Sequence, residues 1–287
     1  MDGGYWVNAS ARGGTPIVHR LLSLVVVLLF HALGAPGPYT VSPAVFRQDL
    51  ILLRQHHVQV LTLAQFEGYM QGTYRVTGPS VLIAFDDGNV SDFTQATPIL
   101  QAFHMPAVAF LIGSRIGAGP NSLTAAQVQA MAASGLWSFG AHTYDLHSLL
   151  DGMPSMQYAF IHHALTAAIT QDVEQEAKAF SSLGLAQPTA FAYPFGFYNV
   201  ETNVLLSHTY SFLFTSVPGF ARPGQRLIPR VDIGIGFDSL LRLGGYVAAM
   251  DGYWAAIQRS HLVSRATGAR PIVHRELPME RQLMRAT

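Results

Sequence analysis

A chain of 287 residues has room for one large core or two small ones, which excludes a miniprotein held together by cross-links. Charged residues are only 12% against a typical value of about 25%, and hydrophobic residues reach 49%, which excludes disorder over most of the chain. Seventeen basic residues balance seventeen acidic ones with Lys178 the only lysine, so no basic stripe is offered to a nucleic acid; with no cysteine, any metal must be held by His, Asp or Glu.

Residues 21–30 are apolar except for Ser23, with Arg12, His19 and Arg20 before them and small residues after. Ten residues are too few to span a bilayer, which needs roughly 20. The local pattern leaves two readings, the apolar region of a secretory signal or a parallel strand buried on both faces. From Pro43 onward helices and strands alternate. Ser42 and Pro43 read as an N-cap and first helical residue of a helix reaching about His56. A strand at 58–62 and a short helix at 64–70 follow. An apolar strand at 80–85 stops at Asp86-Asp87-Gly88. Phe93, Ala96, Leu100 and Phe103 have helical spacing. Next come a strand at 107–112, a helix at 123–133 opened by Thr124, a strand end at 139–142 and one long helix at 161–183. Short strands are expected at 189–193, 212–215 and 231–235. Beyond Gly244, a core-type helix over 246–262 and an Arg-rich tail complete the chain. The pentapeptide Pro-Ile-Val-His-Arg occurs at 16–20 and again at 271–275, too far apart for a solenoid.

Six or more strands separated by helices imply parallel strands joined by crossovers, hence a barrel or a large open α/β sheet. In such folds chemistry gathers at the carboxyl ends of strands. The polar clusters fall at those ends: His31, Asp86-Asp87, His142 and Pro194-Phe195-Gly196. Two adjacent carboxylates at a strand end point in different directions, so one is free for a cation while the other accepts a proton. His142 and His147 are five positions apart, which does not place them on one helix face and requires a loop to bring the rings together. One Asp and two His make a three-ligand site with a position left for water. The remaining histidines, including the adjacent pairs His56-His57 and His162-His163, both expected on helices, read as ordinary structural or solvated side chains.

Three segments together resemble the polysaccharide deacetylases, the NodB-homology or carbohydrate esterase family 4 proteins. They are Ile83-Ala84-Phe85-Asp86-Asp87-Gly88, Gly140-Ala141-His142-Thr143-Tyr144-Asp145-Leu146-His147 and Phe191-Ala192-Tyr193-Pro194-Phe195-Gly196. Thr97-Pro98-Ile99-Leu100, Phe110-Leu111-Ile112-Gly113 and Ser134-Gly135-Leu136-Trp137 add to the likeness. The resemblance implies a distorted (β/α)7 barrel. It implies Asp86 as general base, Asp87, His142 and His147 as ligands of a divalent metal (zinc, with cobalt or nickel as alternatives), and the Phe195 N–H as oxyanion donor. The family's third-motif arginine is replaced by Ala192, for which Arg230 is the candidate substitute. The family's late Leu-x-Leu-His motif, source of the general acid, is absent. Val27-Leu28-Leu29-Phe30-His31 resembles the first strand of the poly-β-1,6-N-acetylglucosamine deacetylase subgroup, which makes His31 the candidate acid and residues 24–30 a barrel strand.

The expected organisation is an N-terminal extension over 1–20, a deacetylase domain over 21–245 and a C-terminal helix and tail over 246–287. The resemblance implies hydrolysis of N-acetyl groups on a β-linked N-acetylglucosamine polymer with release of acetate, by a monomer that is secreted or at the cell surface. Peptidoglycan, chitin oligosaccharides and O-acetylated sugars are the competing substrates. A carbohydrate-binding protein without turnover is the competing class, favoured by Ala192 and the missing late histidine. Phe197, Tyr198 and Trp137 are candidate groove residues for glycan choice.

Overall fold

The computed structural model describes residues 25–35 and 39–233. The N-terminal extension, both copies of the repeated pentapeptide and everything expected after Ile233 lie outside these residues, as do residues 21–24 of the first apolar segment.

The chain runs through β1 (Val25–Phe30), β2 (Ala32–Leu33), β3 (Thr40–Val41), α1 (Pro43–Gln55), β4 (Gln59–Val60), α2 (Leu63–Gln71) and β5 (Ser80–Asp87). Then come a π-helical turn (Asp92–Ala96), α3 (Thr97–Phe103), β6 (Ala107–Leu111), α4 (Ala125–Ala133) and β7 (Trp137–Ala141). The rest is a small hairpin of β8 (Leu149–Leu150) and β9 (Met153–Pro154), α5 (Ser155–Ile161), α6 (Leu165–Ser182), β10 (Ala190–Ala192), α7 (Val200–Leu206), β11 (Phe212–Phe214), β12 (Leu227–Ile228) and β13 (Val231–Asp232). Caps explain the sharp helix starts. Ser42 accepts from the Val45 N–H, and Thr62 with Gln65 and Thr124 with Gln127 form reciprocal capping boxes.

Among the described residues the main sheet has nine strands in the order β12-β11-β10-β7-β6-β5-β1-β13, with β4 beside β5, and every pairing is parallel. Side chains alternate between two cores. Val26, Leu28, Phe30, Val81, Ile83 and Phe85 face outward onto α1, α3 and α4. Val25, Val27, Leu82, Ala84, Val108 and Phe110 face inward with Phe212 and Phe214 and with α2. Coverage on both faces is why these strands are apolar without alternation. Phe110 and Phe214 belong to strands three places apart, roughly 14 Å on a flat sheet, yet their rings lie 5.0 Å apart. The sheet therefore curls on itself. Only Pro229 and Arg230 separate β12, paired with β11, from β13, paired with β1, so one short stretch of chain spans the two ends of the curl. This is a distorted parallel α/β barrel with helices around it.

Three expectations are corrected. The helix expected over 161–183 is two helices, because α5 ends in a Schellman motif: His163 takes φ 54°, its N–H donates to Phe160 O, and the Ala164 N–H donates to Ala159 O. Ile161 is accordingly half exposed instead of on the buried stripe. Trp137 is a core residue, its Nε1 donating to Thr97 Oγ1 at 3.0 Å and its ring against Phe85, so it lines no groove. His56 and His57 close α1, and His162 and His163 close α5, so neither pair lies within a helix.

Gly140 marks the tightest approach in the inner core: a Cβ there would meet the Phe110 ring at 2.5 Å and Ala190 O at 3.1 Å. Gly140→Ala is expected to lower stability by about 1–3 kcal/mol, read from the midpoint of denaturant unfolding; an unchanged midpoint contradicts this packing.

Candidate active site and metal centre

The polar residues at the strand ends converge on one rim of the curled sheet. Asp86 keeps the inward parity of Leu82 and Ala84, and it is 2% exposed. Asp87 would face the outer core by alternation. A left-handed backbone, φ 77°, turns it away from that face, and its Oδ1 stands 3.2 Å from His147 Nε2 and 3.7 Å from His142 Nε2. β5 thus runs through both aspartates rather than stopping before them, and the bend falls at the second.

His142 follows β7 with the inward parity of Gly140. Its Nδ1 lies 2.8 Å from Ala192 O, the arrangement in which Nδ1 carries the proton and Nε2 presents its lone pair to the aspartates. The loop to His147 begins with Thr143 at φ 72°, and the two imidazole rings end 4.8 Å apart. Burial pushes His142 down to about 4, against the opposing charge of Asp86. Burial, then the nearby Arg115, pushes His147 down to about 4. Both rings are therefore neutral near pH 7, the form that ligates a cation.

Asp87, His142 and His147 each bring one ligand atom within 4.8 Å of the others. Tetrahedral bonds of about 2.0–2.1 Å put ligand atoms roughly 3.3 Å apart, close to the 3.2 and 3.7 Å seen here. Asp87 Oδ1 is also buried without a hydrogen bond. Two neutral nitrogens and one carboxylate oxygen suit zinc or a similar divalent ion, so the residues present fit such a group.

Asp86 lies beside that triad, its Oδ2 3.7 Å from His142 Nε2, and its other oxygen is taken by a cation. Arg230, wholly buried, donates from Nη1 to Asp86 Oδ1 at 2.7 Å and from Nε to Thr215 O at 2.8 Å. Burial alone would raise the Asp86 pKa, but the Arg230 charge, His142 and the Arg230 hydrogen bond outweigh it and hold the carboxyl at about 2. Ala192 contributes only a methyl group to the inner core, so the guanidinium that meets Asp86 comes from the far end of the sheet.

His31 lies between β1 and β2, half-buried against Tyr39, with ring centroids 5.4 Å apart and Nδ1 buried without a partner. Its charge is felt at both Asp86 and His147. Phe195 takes φ 55° within a short 3-10 turn, and its half-exposed ring lies 4.5 Å from His147. Phe197 and Tyr198 are partly buried against the cluster around Tyr193. Two residues that support this site were not anticipated. Arg115 Nη2 donates to His147 O at 2.6 Å, with Nδ1 of the same residue 3.3 Å away. Asp172 accepts from the backbone of the His142–His147 loop. The available signal for Asp172 was an acid on the buried stripe formed by Leu165, Ile169, Glu176 and Phe180.

Removing one partner of a buried ion pair leaves the other charge uncompensated. In chelated protein, Arg230→Met is expected to lower stability by about 3–5 kcal/mol near neutral pH. A carboxyl held at about 2, against 3.8 as its ordinary value, contributes stability that is full above pH 4 and lost as pH falls toward 2. Without Arg230, burial leaves the Asp86 carboxyl raised, so the gap between wild type and Arg230→Met should begin to narrow above pH 4 and go on narrowing toward pH 2 in acid unfolding titrations; a gap independent of pH contradicts the pairing.

Residues 73–213 match the polysaccharide deacetylase family. A poly-beta-1,6-N-acetyl-D-glucosamine N-deacetylase of Staphylococcus epidermidis is 32% identical over 165 residues, which is 56% of this chain and 55% of the relative, so the match spans about half of that relative's length. The putative polysaccharide deacetylase YxkH of Bacillus subtilis is 28% identical over 78% of this chain and 76% of its own. The solved structure of IcaB from Ammonifex degensii superposes with a TM-score of 0.72 at 29% identity, covering 78% of this chain and 97% of that one. Motif order, curled parallel sheet and these relatives agree, and the chain belongs to the polysaccharide deacetylase family, of the NodB-homology, carbohydrate esterase 4 type.

Proposed function

We propose that the chain is a metal-dependent carbohydrate N-deacetylase that hydrolyses the acetamide of N-acetylglucosamine units in a β-1,6-linked polymer, releasing acetate and a free amine. One observation carries the reading: a second carboxylate, Asp86, lies beside the Asp87, His142 and His147 triad with one oxygen bonded to Arg230, which holds it ionised. A binding protein has no use for a spare charged carboxylate beside its ligand set. The absence of the third-motif arginine at Ala192, which favoured a binding-only role, is offset by the Arg230 ion pair.

Asp87, His142 and His147 would hold zinc, or cobalt or nickel in its place, which when bound would supply Lewis acidity toward the acetyl carbonyl and the attacking water. Asp86 takes the proton of the attacking water on Oδ2, the oxygen not held by Arg230, and Arg230 is its positioning residue. The Phe195 N–H donates to the oxygen that gains charge as the carbonyl carbon becomes tetrahedral, a contact worth roughly 3–4 kcal/mol in other acyl-transfer enzymes. His31 gives a proton to the sugar nitrogen as the C–N bond breaks. Tyr39 and Phe195, 60% and 51% exposed, set apolar ring faces beside His31 and His147 where a pyranose can lie. The β-1,6 linkage rests on the Staphylococcus relative, and a secreted or cell-surface location follows from a polymer substrate of that kind. No helix among the described residues is long and apolar enough to cross a membrane.

The test is acetate release from β-1,6-linked N-acetylglucosamine oligomers by chelated protein and by protein reloaded with zinc or cobalt, with chitin oligomers in parallel. Release restored by metal and preferring the β-1,6 oligomer is expected. Tight metal uptake without release from either glycan overturns the proposal in favour of a binding role. In the same assay Asp87→Ala and His142→Ala should lose metal and release together. Asp86→Asn and His31→Ala should keep metal and lose about 10²–10⁴ in turnover; wild-type turnover in either removes its role.

A further inference from the structure

The loop that carries the two histidines is held from two sides. On one side lies the turn after β6: the Gly113 N–H donates to Thr143 O at 3.1 Å and the Ser114 N–H to Tyr144 O at 2.8 Å, while Ser114 Oγ donates to Asp145 Oδ1 at 2.9 Å. On the other side lies a single carboxylate. After the left-handed Thr143, three successive backbone N–H groups point the same way and converge on Asp172 of α6. Tyr144 N lies 2.8 Å from Oδ2, and Asp145 N and Leu146 N lie 2.9 and 3.1 Å from Oδ1. Successive N–H groups in such a turn form a concavity for an anion, and here a protein side chain 7% exposed fills it.

We infer that Asp172 is a positioning residue for the metal centre, its carboxylate setting the path of residues 144–146 and thereby the separation of His142 and His147. The inference rests on the metal reading of that triad. The geometry carries it, because the three bonded amides belong to three of the four residues between the ligands, and each fixes backbone that a five-residue spacing would otherwise leave free. Two carboxylate oxygens satisfy three donors. An amide in their place offers one oxygen and turns an NH2 group against an N–H. Glu176, one turn further along α6, does not compete as an anion: burial first, and then the Asp172 charge, push it up to about 9. Burial also pushes Asp172 up, and the three N–H donors pull it back. Since these donors are backbone, the contact depends on the fold rather than on the identity of Tyr144, Asp145 or Leu146.

The experiment compares Asp172→Asn in the full chain with a control on the same helix, Phe180→Ala, whose side chain is 1% exposed in the outer core. Two quantities are read: amide hydrogen exchange at 144–146 in chelated protein, and Kd for Co2+ by competition with a chelator. For Asp172→Asn, faster exchange at those amides and a Kd weakened about 10–100-fold are expected. Phe180→Ala should lower Tm while its Co2+ Kd stays within about twofold of wild type and exchange at 144–146 stays protected, because its outer-core cluster contains no residue of the loop. Wild-type Co2+ affinity in Asp172→Asn, or an equal weakening in Phe180→Ala, overturns the inference. Should Asp172→Asn fail to fold, Asp172→Glu keeps the charge on a longer arm and is held to the same two readouts. If wild type itself takes up no Co2+, the metal reading fails, and this inference falls with it, whereas wild-type uptake matched by Asp172→Asn sinks this inference alone.

Discussion

A guanidinium and a carboxylate, both withdrawn from solvent, meet 2.7 Å apart where the two ends of the curled sheet come together. Arg230 lies in the two-residue link between β12 and β13, and Asp86 lies near the end of β5. Neither charge is tolerable in the inner core without the other, since an isolated buried ion costs several kcal/mol. The pair therefore ties the route of the chain across the barrel ends to the state of the candidate base. Arg230 also stands over the Phe110 ring at 5.6 Å, the same ring that the missing Gly140 side chain makes room for. Packing and electrostatics at the rim are in this sense one arrangement.

Around that pair, the backbone departs from regular geometry at functional positions. Asp87, Thr143 and Phe195 all have positive φ without being glycine, and each turns a group toward the triad: a carboxylate, a loop bearing a candidate ligand, and an aromatic ring. Such conformations cost of order 1–3 kcal/mol each and persist only where surroundings hold them. The holding groups are identifiable for the second, where the Gly113–Ser114 backbone and Asp172 grip the loop from opposite sides. The candidate ligands are thus braced by neighbours before any cation arrives, which lowers the ordering cost of binding one.

The two histidines illustrate how candidate ligands are kept neutral beside a buried ion pair. Burial favours the uncharged ring at both, and Arg115 reinforces it at His147. Ala192 O then selects which nitrogen of His142 faces the triad. The same low-dielectric rim keeps Asp86 charged only because a cation is bonded to it. Opposite protonation preferences within a few ångströms are thereby assigned to the groups that need them.

Much of this was legible from residue order. Apolar strand runs, the Ser42 and Thr124 caps and the strand-end placement of Asp86, Asp87, His142 and His147 depend on local periodicity and on motif spacing, which a linear chain displays. The five-residue histidine spacing already required a loop. The single long helix expected over 161–183 misled because the Schellman turn at His163 depends on backbone hydrogen bonds and not on glycine. Trp137 reads as a groove residue until Thr97, forty positions earlier, is seen to accept its N–H. The sequence by itself determined the alternation of helices and apolar strands, the motif order and the residue types gathered at the rim. Only the tertiary structure decided which arginine meets Asp86 across 144 positions, which way Asp87 turns, and that Asp172 grips the loop. Those outcomes depend on strand curling and on backbone donors, and neither has a residue identity to read.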